Sequence, residues 1–316
     1  MSTRRILTLV LAAAAAVPGL LSATTEPLLV AVGILPQQEF VARAAEDRVR
    51  NQPLLVAVSI LPQQEFVAKV GRDRVRTEVL VKPGHSPATY EPSPKQMTRL
   101  AGAQLWIRIG VPFERAVLRN LPEVAPELAI VDGRRGIDLI EVDGHSAHPS
   151  AHGGEPDPHF WLDPLRVKAH ARTIRDALCE RDPDHCDAFT ANLSDFHREL
   201  EEAHESVSAT LAPIAGRELF VFHPSYGYFA RRYGLRQVAV EAGGRTPTGR
   251  QLAALVDRAQ ASGVRTLFVQ AQFAGNSVDA LAVAMGVGVV ELDPLAPDYL
   301  QNLVTMATKI AASYGE

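Results

Sequence analysis

The chain has 316 residues, of which 47% are hydrophobic and 22% are charged. A chain of this length and composition can bury a sizeable core, and domain-size statistics favour two domains over one. Its net charge is −4, with acidic and basic residues mixed throughout, so it lacks the basic surface that nucleic acid or anionic lipid requires. We therefore expect neither of these partners.

Residues 1–23 have the pattern of an export signal peptide. Arg4 and Arg5 precede an alanine-rich apolar run from Ile6 to Val17, which is too short to span a bilayer comfortably. No cysteine lies near this end, so no lipid attachment is expected there. The mature protein is predicted to be free in the periplasm.

A tandem repeat follows this predicted signal. Residues 27–52 and residues 53–78 are identical at 19 of 26 positions. The second copy continues directly into the sequence VLVKPG, so it is the predicted first strand-and-helix unit of the fold. Residues 24–52 are then an N-terminal extension, which could hang free, add to the edge of a sheet or compete for the same place in the fold.

From residue 53 onwards, short β-branched runs alternate with longer helical stretches. The runs are LLVAVSI, TEVLV, LWIRIG and LAIVD in the first half, and LFVF, QVAV, TLFVQ and VVEL in the second. This alternation is typical of βα units with mainly parallel sheets. It predicts an α/β fold with one lobe at residues 53–182 and another at residues 214–316.

Two helices are predicted between these sets of strands. The first runs from about Leu165 to Cys179, with Asp163 as its N-cap and Pro164 in its first turn. The second lies within the linking segment of residues 183–213 and has apolar residues at helical spacing from residue 184 to residue 211. At 1.5 Å per residue it would be roughly 40 Å long, enough to connect both lobes rigidly.

The two cysteines, Cys179 and Cys186, flank the break between these helices. Pro183 should let the chain fold back there, so a local disulfide is favoured in an oxidising compartment. Two free thiols are one alternative, and a metal site that includes His185 is another.

Two of the ten histidines are predicted to lie where a strand ends and a loop begins, His159 in DPHFWLDP and His223 in FVFHPSYGYFA. Asp293, in VVELDPL, has the equivalent position after the last strand. Ligand sites in open α/β sheets gather at the carboxyl ends of strands. Imidazole and carboxylate groups suit Zn²⁺, provided that the two lobes face each other. For each residue taken singly, a hydrogen-bonded structural role is the alternative.

Over residues 53–312 the chain resembles the zinc and manganese solute-binding proteins of metal ABC importers. The matching stretches, in order, are SILPQQEFV, VKPGHSPATYEPSPKQM, DPHFWLDP, FHPSYGYFA and ELDPLAPDYLQNL. The resemblance implies two α/β lobes joined by a long helix, a membrane permease as partner, and a metal ion in the cleft held by one ligand from each of four segments. It implies that His159, His223 and Asp293 are three of these ligands.

The chain departs from the family pattern in its first ligand motif. The family usually reads SPHTYEP where this chain reads SPATYEP, with Ala88 at the ligand position. Alanine cannot bind a metal ion, so His85, three residues earlier in the same loop, is the predicted substitute. Three protein ligands plus water, or a histidine borrowed from the loop at residues 143–158, are the alternatives.

Residues 143–158 contain His145, His148 and His152 among Gly, Ser, Ala and Pro, a composition that cannot pack a core. We predict a surface loop whose imidazoles form an auxiliary metal site, and in the resembling family such a loop accompanies zinc rather than manganese. A solvated linker is the alternative. Three further histidines, His170, His197 and His204, are predicted to lie on solvated helix faces without a role in binding.

These features predict a monomeric periplasmic protein that captures Zn²⁺ and passes it to an ABC permease without catalysing a reaction. Mn²⁺ or Fe²⁺ is the alternative cargo within the same family. A zinc hydrolase is the alternative from another class, because three ligands and an open position also describe a catalytic site. The sequence has no HExxH helix and no general base at a recognisable spacing to support it.

Overall fold

The structure, a computed structural model, describes residues 52–141, 156–241, 247–273 and 275–315. The predicted signal peptide and residues 27–51 of the first repeat copy lie outside the described residues, as do His145, His148 and His152. None of the helices in the described ranges has the length and apolar character needed to cross a membrane.

The N-terminal lobe is built on a four-stranded parallel sheet with the order β2-β1-β3-β4. Both central strands are buried along most of their length, as strands covered on both faces are. The strands are β1 Leu54–Val58, β2 Val75–Val79, β3 Leu105–Arg108 and β4 Ala129–Asp132, and the helices are α1 Leu61–Gly71, α2 Pro94–Ala101 and α3 Phe113–Val124.

The second repeat copy forms β1, α1 and β2 of this lobe. Strand β1 lies between β2 and β3, and Phe66, Val67 and Val70 of α1 are fully buried against the sheet. This copy is therefore part of the core of the lobe rather than an appendage to it.

Two helices follow the first sheet, α4 Pro164–Arg181 in the N-terminal lobe and the long connecting helix α5 Cys186–Leu211. Asp163 caps α4, because its side chain accepts a hydrogen bond from the Leu165 N–H at 3.0 Å. Helix α5 has 26 residues and spans about 39 Å. A 3₁₀ turn at Pro183–His185 precedes it, and a disulfide between Cys179 and Cys186 closes the corner. The apolar face of α5 contains the buried residues Phe189, Leu193, Phe196, Leu200 and Val207.

The C-terminal lobe repeats the architecture of the first, with a parallel sheet in the order β6-β5-β7-β8. Helix α5 packs against α1 of the first lobe and against the last helix of the second. The strands are β5 Glu218–Val221, β6 Arg236–Ala239, β7 Thr266–Val269 and β8 Gly288–Glu291, and the helices are α6 Gly227–Arg232, α7 Gly249–Ser262, α8 Asn276–Met285 and α9 Tyr299–Ala312. The predicted fold class, two parallel α/β lobes joined by one long helix, is confirmed.

Polar contacts hold the lobes together beside this helix. The Arg232 guanidinium in α6 contacts both carboxylate oxygens of Asp163, with distances of 2.8 to 3.0 Å. The Trp161 indole N–H donates to the Pro294 carbonyl at 2.9 Å. The loop before α4 is therefore anchored on the C-terminal lobe.

Candidate metal centre

His159 and His223 approach each other from the two lobes. Their ring centroids are 5.6 Å apart and the ring planes are nearly perpendicular. His223 follows β5 directly, as predicted from the sequence. The prediction that His159 follows a strand is wrong, because only an isolated bridge, between Pro156 and Glu141, precedes it among the described residues, and a 3₁₀ turn comes after it.

A buried carboxylate holds the His159 ring. Asp157 Oδ1 lies 2.7 Å from His159 Nδ1 and also accepts the His159 backbone N–H at 2.9 Å. Asp157 is only 2% exposed. The Trp161 ring packs beside the imidazole with a centroid distance of 5.1 Å. These contacts fix both the backbone and the ring orientation of His159.

His223 has an equivalent arrangement built from different elements. Its Nδ1 lies 3.1 Å from Glu241 Oε2, and Glu241 is a buried residue that comes soon after β6. The Phe273 ring, from a 3₁₀ turn after β7, stacks on the imidazole at 5.2 Å. Neighbouring strands of one sheet thus supply the residue, its carboxylate partner and its stacking partner.

The two carboxylates determine which ring nitrogen remains available to a metal ion. An ionised carboxylate only accepts hydrogen bonds, so each Nδ1 carries the proton and each Nε2 keeps its lone pair. Among the described residues, the hydrogen bonds of both rings use Nδ1. Both imidazoles are 18% exposed, so a solute can reach them. A carboxylate behind a histidine is the usual support of a metal ligand.

Sequence reasoning missed both supporting carboxylates. Asp157 had a local signal, since it lies two residues before His159, within hydrogen-bonding reach of the same turn. Glu241 had none, because it is 18 residues away from His223 and meets it only through the pairing of β5 with β6.

Asp293 is half-buried in the loop after β8. Its Oδ1 accepts the Leu295 N–H at 2.8 Å. The next residue, Pro294, accepts the indole N–H of Trp161, so the loop that carries Asp293 borders the loop that carries His159. Burial raises the pKa of Tyr226 well above its usual value, and the nearby charge of Asp293 raises that pKa further.

His85 lies in the exposed loop after β2, where its ring packs edge-on against Tyr90 with a centroid distance of 5.6 Å. Both line a cavity of about 270 Å³ that also includes Lys82 and Glu91. Within the described ranges, no group of three or more His, Cys, Asp or Glu side chains is close enough to hold a metal ion. The structure therefore brings two of the four predicted ligands together, His159 and His223.

The prediction for His170 is wrong, because this residue is fully buried rather than solvated. Its Nδ1 donates to the Gly133 carbonyl at 2.7 Å, and its ring contacts the Phe160 ring edge-on at 5.4 Å. Burial lowers the pKa of His170 to about 4. His170 thus supports the turn next to His159 from inside the N-terminal lobe. The other two helical histidines, His197 and His204, are half-buried.

Two parallel α/β lobes, a long connecting helix and a supported imidazole pair between the lobes define a solute-binding protein of the two-lobed class. The chain matches the family described as zinc-uptake complex component A, periplasmic, over residues 56–313. It belongs to this family, which confirms the predicted resemblance to the zinc-type solute-binding proteins of metal ABC importers.

Individual relatives agree with this assignment. The high-affinity zinc uptake system protein ZnuA of Yersinia pestis is 33% identical over 178 residues, which cover 50% of this chain and 56% of that protein. The match thus spans about half the length of this relative. A crystal structure of ZnuA is similar with a TM-score of 0.77 and 38% identity, covering 84% of this chain and 100% of that chain. A ZnuA deletion mutant with zinc bound has the same TM-score of 0.77 and covers 84% of this chain and 99% of its own.

Proposed function

We propose that this protein binds Zn²⁺ between its lobes in the periplasm and delivers the ion to the membrane permease of an ABC importer. The imidazole pair of His159 and His223 carries the proposal, since each ring is held by a buried carboxylate that leaves Nε2 free for a metal. The names of the relatives support zinc as the cargo. The ion is captured and released without a chemical reaction, so no catalytic residue is proposed.

The spacing of the pair suits one tetrahedral zinc ion. Two imidazoles bound at a Zn–N distance of about 2.1 Å and a tetrahedral angle have ring centroids roughly 5 Å apart. The observed distance of 5.6 Å is close to this value. Only a small adjustment of the rings would be needed to bind one ion.

We propose Asp293 as the third ligand and His85 as the fourth. Asp293 is in a loop that already borders the His159 loop, so we propose that a rotation of its side chain directs the carboxylate towards the ion. His85 would have to leave its contact with Tyr90 and turn towards the other lobe. Its exposure makes this change inexpensive, because little apolar surface is uncovered. If His85 does not bind, water would occupy the fourth position.

Zinc is preferred to Mn²⁺ or Fe²⁺ in this proposal because of the donor types. Two neutral imidazoles suit zinc, whereas manganese favours sites rich in oxygen. In the general order of divalent affinities, which peaks at Cu²⁺, Mn²⁺ binds most weakly, so a direct comparison of zinc with Mn²⁺ must start from metal-free protein. His145, His148 and His152 remain the predicted auxiliary site, whose loss should lower the number of weakly bound ions.

Export and assembly complete the proposal. The signal pattern in residues 1–23 would bring the chain to the periplasm, where it would act as a monomer. Mass spectrometry of protein purified from the periplasm should find the N-terminus near residue 24. A mature chain that still begins at Met1 would contradict this part of the proposal.

The central experiment is a zinc titration of metal-free protein against a chromophoric chelator. His159→Ala and His223→Ala are each expected to weaken zinc binding by about 100-fold or more, because each removes one of the two supported imidazole ligands of the proposed site. His204→Ala is the matched control, since it removes a half-buried helical histidine outside the centre and should leave the affinity unchanged. Wild-type zinc affinity in both site variants would refute the proposed centre.

Further titrations test the third and fourth ligands separately. His85→Ala and Asp293→Ala should each weaken zinc binding by roughly tenfold or more if these groups bind the ion, and unchanged affinity would remove the residue from the site. Wild-type affinity should also fall below about pH 6, where imidazoles take up protons. Equal affinity at pH 5 and pH 7.5 would contradict imidazole ligation.

A further inference from the structure

The hydroxyl group of Tyr228 connects Ile140 to Asp157, which lies two residues before His159. The Ile140 N–H donates to this hydroxyl oxygen at 3.0 Å, and the hydroxyl donates to the Asp157 carbonyl at 2.8 Å. The Asp157 N–H in turn donates to the Ile140 carbonyl at 2.8 Å. One buried side chain from the C-terminal lobe therefore binds two backbone positions of the N-terminal lobe that are also hydrogen-bonded to each other.

Asp157 connects this contact to the imidazole pair. The same residue that accepts the Tyr228 hydroxyl through its backbone carbonyl holds His159 Nδ1 through its side chain at 2.7 Å. The adjacent Gly227 allows the close approach, because a Cβ atom there would lie 3.1 Å from Asp157 Oδ2. A movement of the Tyr228 hydroxyl would therefore shift Asp157, and with it the ring of His159.

Tyr228 also belongs to the segment that carries His223, only five residues away. This segment is rigid, since the Tyr226 N–H donates to Gln237 Oε1 at 2.7 Å and Tyr228 is 1% exposed. The Arg166 guanidinium lies over the Tyr228 ring at 5.0 Å, which fixes the ring from the side of α4. One short segment thus supplies one imidazole directly and determines the position of the other.

We propose that Tyr228 is a positioning residue that sets the distance between His159 and His223 by holding Asp157. This inference rests on the proposed zinc function and adds a residue that contacts neither imidazole. Its physical basis is preorganisation, since a metal site held by fixed supporting groups does not have to be ordered when the ion arrives.

The test is the zinc affinity of Tyr228→Phe, which keeps the ring and removes only the hydroxyl. We expect zinc binding roughly 10- to 100-fold weaker than in the wild type, in the range found when a supporting group of a metal ligand is lost. Tyr233→Phe is the matched control, because this buried tyrosine in the same lobe bonds to His204 through its hydroxyl at 3.3 Å. It should lower the melting temperature without changing zinc affinity.

A spectroscopic readout and a double-mutant cycle distinguish a positioning role of Tyr228 from a general loss of stability of the lobe. The visible absorption of Co²⁺ bound in place of zinc should change in Tyr228→Phe and stay the same in Tyr233→Phe, because it reports the coordination geometry of the ion. If Tyr228 acts through Asp157, the effects of Tyr228→Phe and Asp157→Asn on zinc affinity will be clearly less than additive in the double variant.

Each outcome decides one of the two proposals. Wild-type zinc affinity in Tyr228→Phe, an unchanged Co²⁺ spectrum, or additive effects in the cycle would overturn the positioning role and leave the zinc function intact. A wild-type protein that binds neither zinc nor Co²⁺ would overturn the zinc function itself, whatever the variants do.

Discussion

The first strand and helix of the N-terminal lobe, β1 and α1, should be stable with the residues of the second repeat copy but not with those of the first. The copies differ at 7 of 26 positions, and three of these, Ser59, Val70 and Gly71, are fully or almost fully buried. The first copy has Gly, Ala and Ala at the matching positions. We predict that the triple variant Ser59→Gly, Val70→Ala and Gly71→Ala is strongly destabilised.

The contacts of these residues determine the size of the effect. Ser59 Oγ donates to Glu114 at 2.5 Å and accepts the Trp106 indole N–H at 3.3 Å, so its loss leaves two buried groups short of a partner, at a cost of about 1–3 kcal/mol. Val70→Ala removes two buried methyl groups and costs about 2 kcal/mol.

Gly71→Ala introduces a clash rather than a cavity. Its new Cβ atom would lie 2.3 Å from a Val75 methyl carbon, and relieving this contact costs about 1–3 kcal/mol. Together the three changes remove about 4–8 kcal/mol, which is comparable with the entire stability of an ordinary domain, about 5–15 kcal/mol.

Urea unfolding followed by circular dichroism measures this loss for the single variants and the triple variant. Lys69→Arg is the matched control, since it is another difference between the copies and retains the cation that pairs with Glu199 at 2.5 Å. It should change the free energy of unfolding by less than about 0.5 kcal/mol. A triple variant with the wild-type midpoint would show that the first copy fits this place equally well, and the reasoning would fail.

Three further outcomes are expected. Burial lowers the pKa of His170 from 6.5 to about 4, so the unfolded chain takes up a proton that the folded protein does not, and stability should fall by up to roughly 3 kcal/mol between pH 6.5 and pH 4. When the free energy of unfolding from urea titrations is plotted against pH over this range, it should change less in His170→Gln than in the wild type. An identical pH dependence in the two proteins would contradict the assignment. Reduction of the disulfide between Cys179 and Cys186, seven residues apart, should lower the free energy of unfolding by about 2.5 kcal/mol, and equal midpoints with and without reductant would argue against this. Glu241→Gln should weaken zinc binding by roughly 10- to 100-fold in calorimetry because it removes the carboxylate behind His223, whereas an unchanged affinity would deny it that role.

Local pattern was sufficient to predict the elements of the fold. The eight β-branched runs all form strands, and Asp163 caps α4 as its position before Pro164 suggested. Helix α5 buries Phe189 and Leu200 at the predicted spacing. These features depend on neighbours within a few residues along the chain, and that information is contained in the sequence itself.

Other features depended on residues that are distant in sequence. The buried place of His170 arises from Gly133 and Phe160, which the fold of the N-terminal lobe brings against α4. Helical spacing alone suggested that this residue is solvated. A neutral histidine can nevertheless be buried at no large cost when both ring nitrogens have partners, and those partners come from distant parts of the chain. For the same reason, the sequence could name His85 as a candidate but could not say what it would contact.

By itself, the sequence determined the α/β class, the long connecting helix and the two histidines on which the zinc proposal rests. Only the tertiary structure decided which nitrogen of His223 remains available to a metal ion and what holds Asp157 behind His159, because Glu241 reaches His223 through strand pairing and Tyr228 reaches Asp157 across the lobes. A ligand type can be recognised in a short motif, whereas its orientation is set by hydrogen bonds from parts of the chain that meet only when the protein has folded.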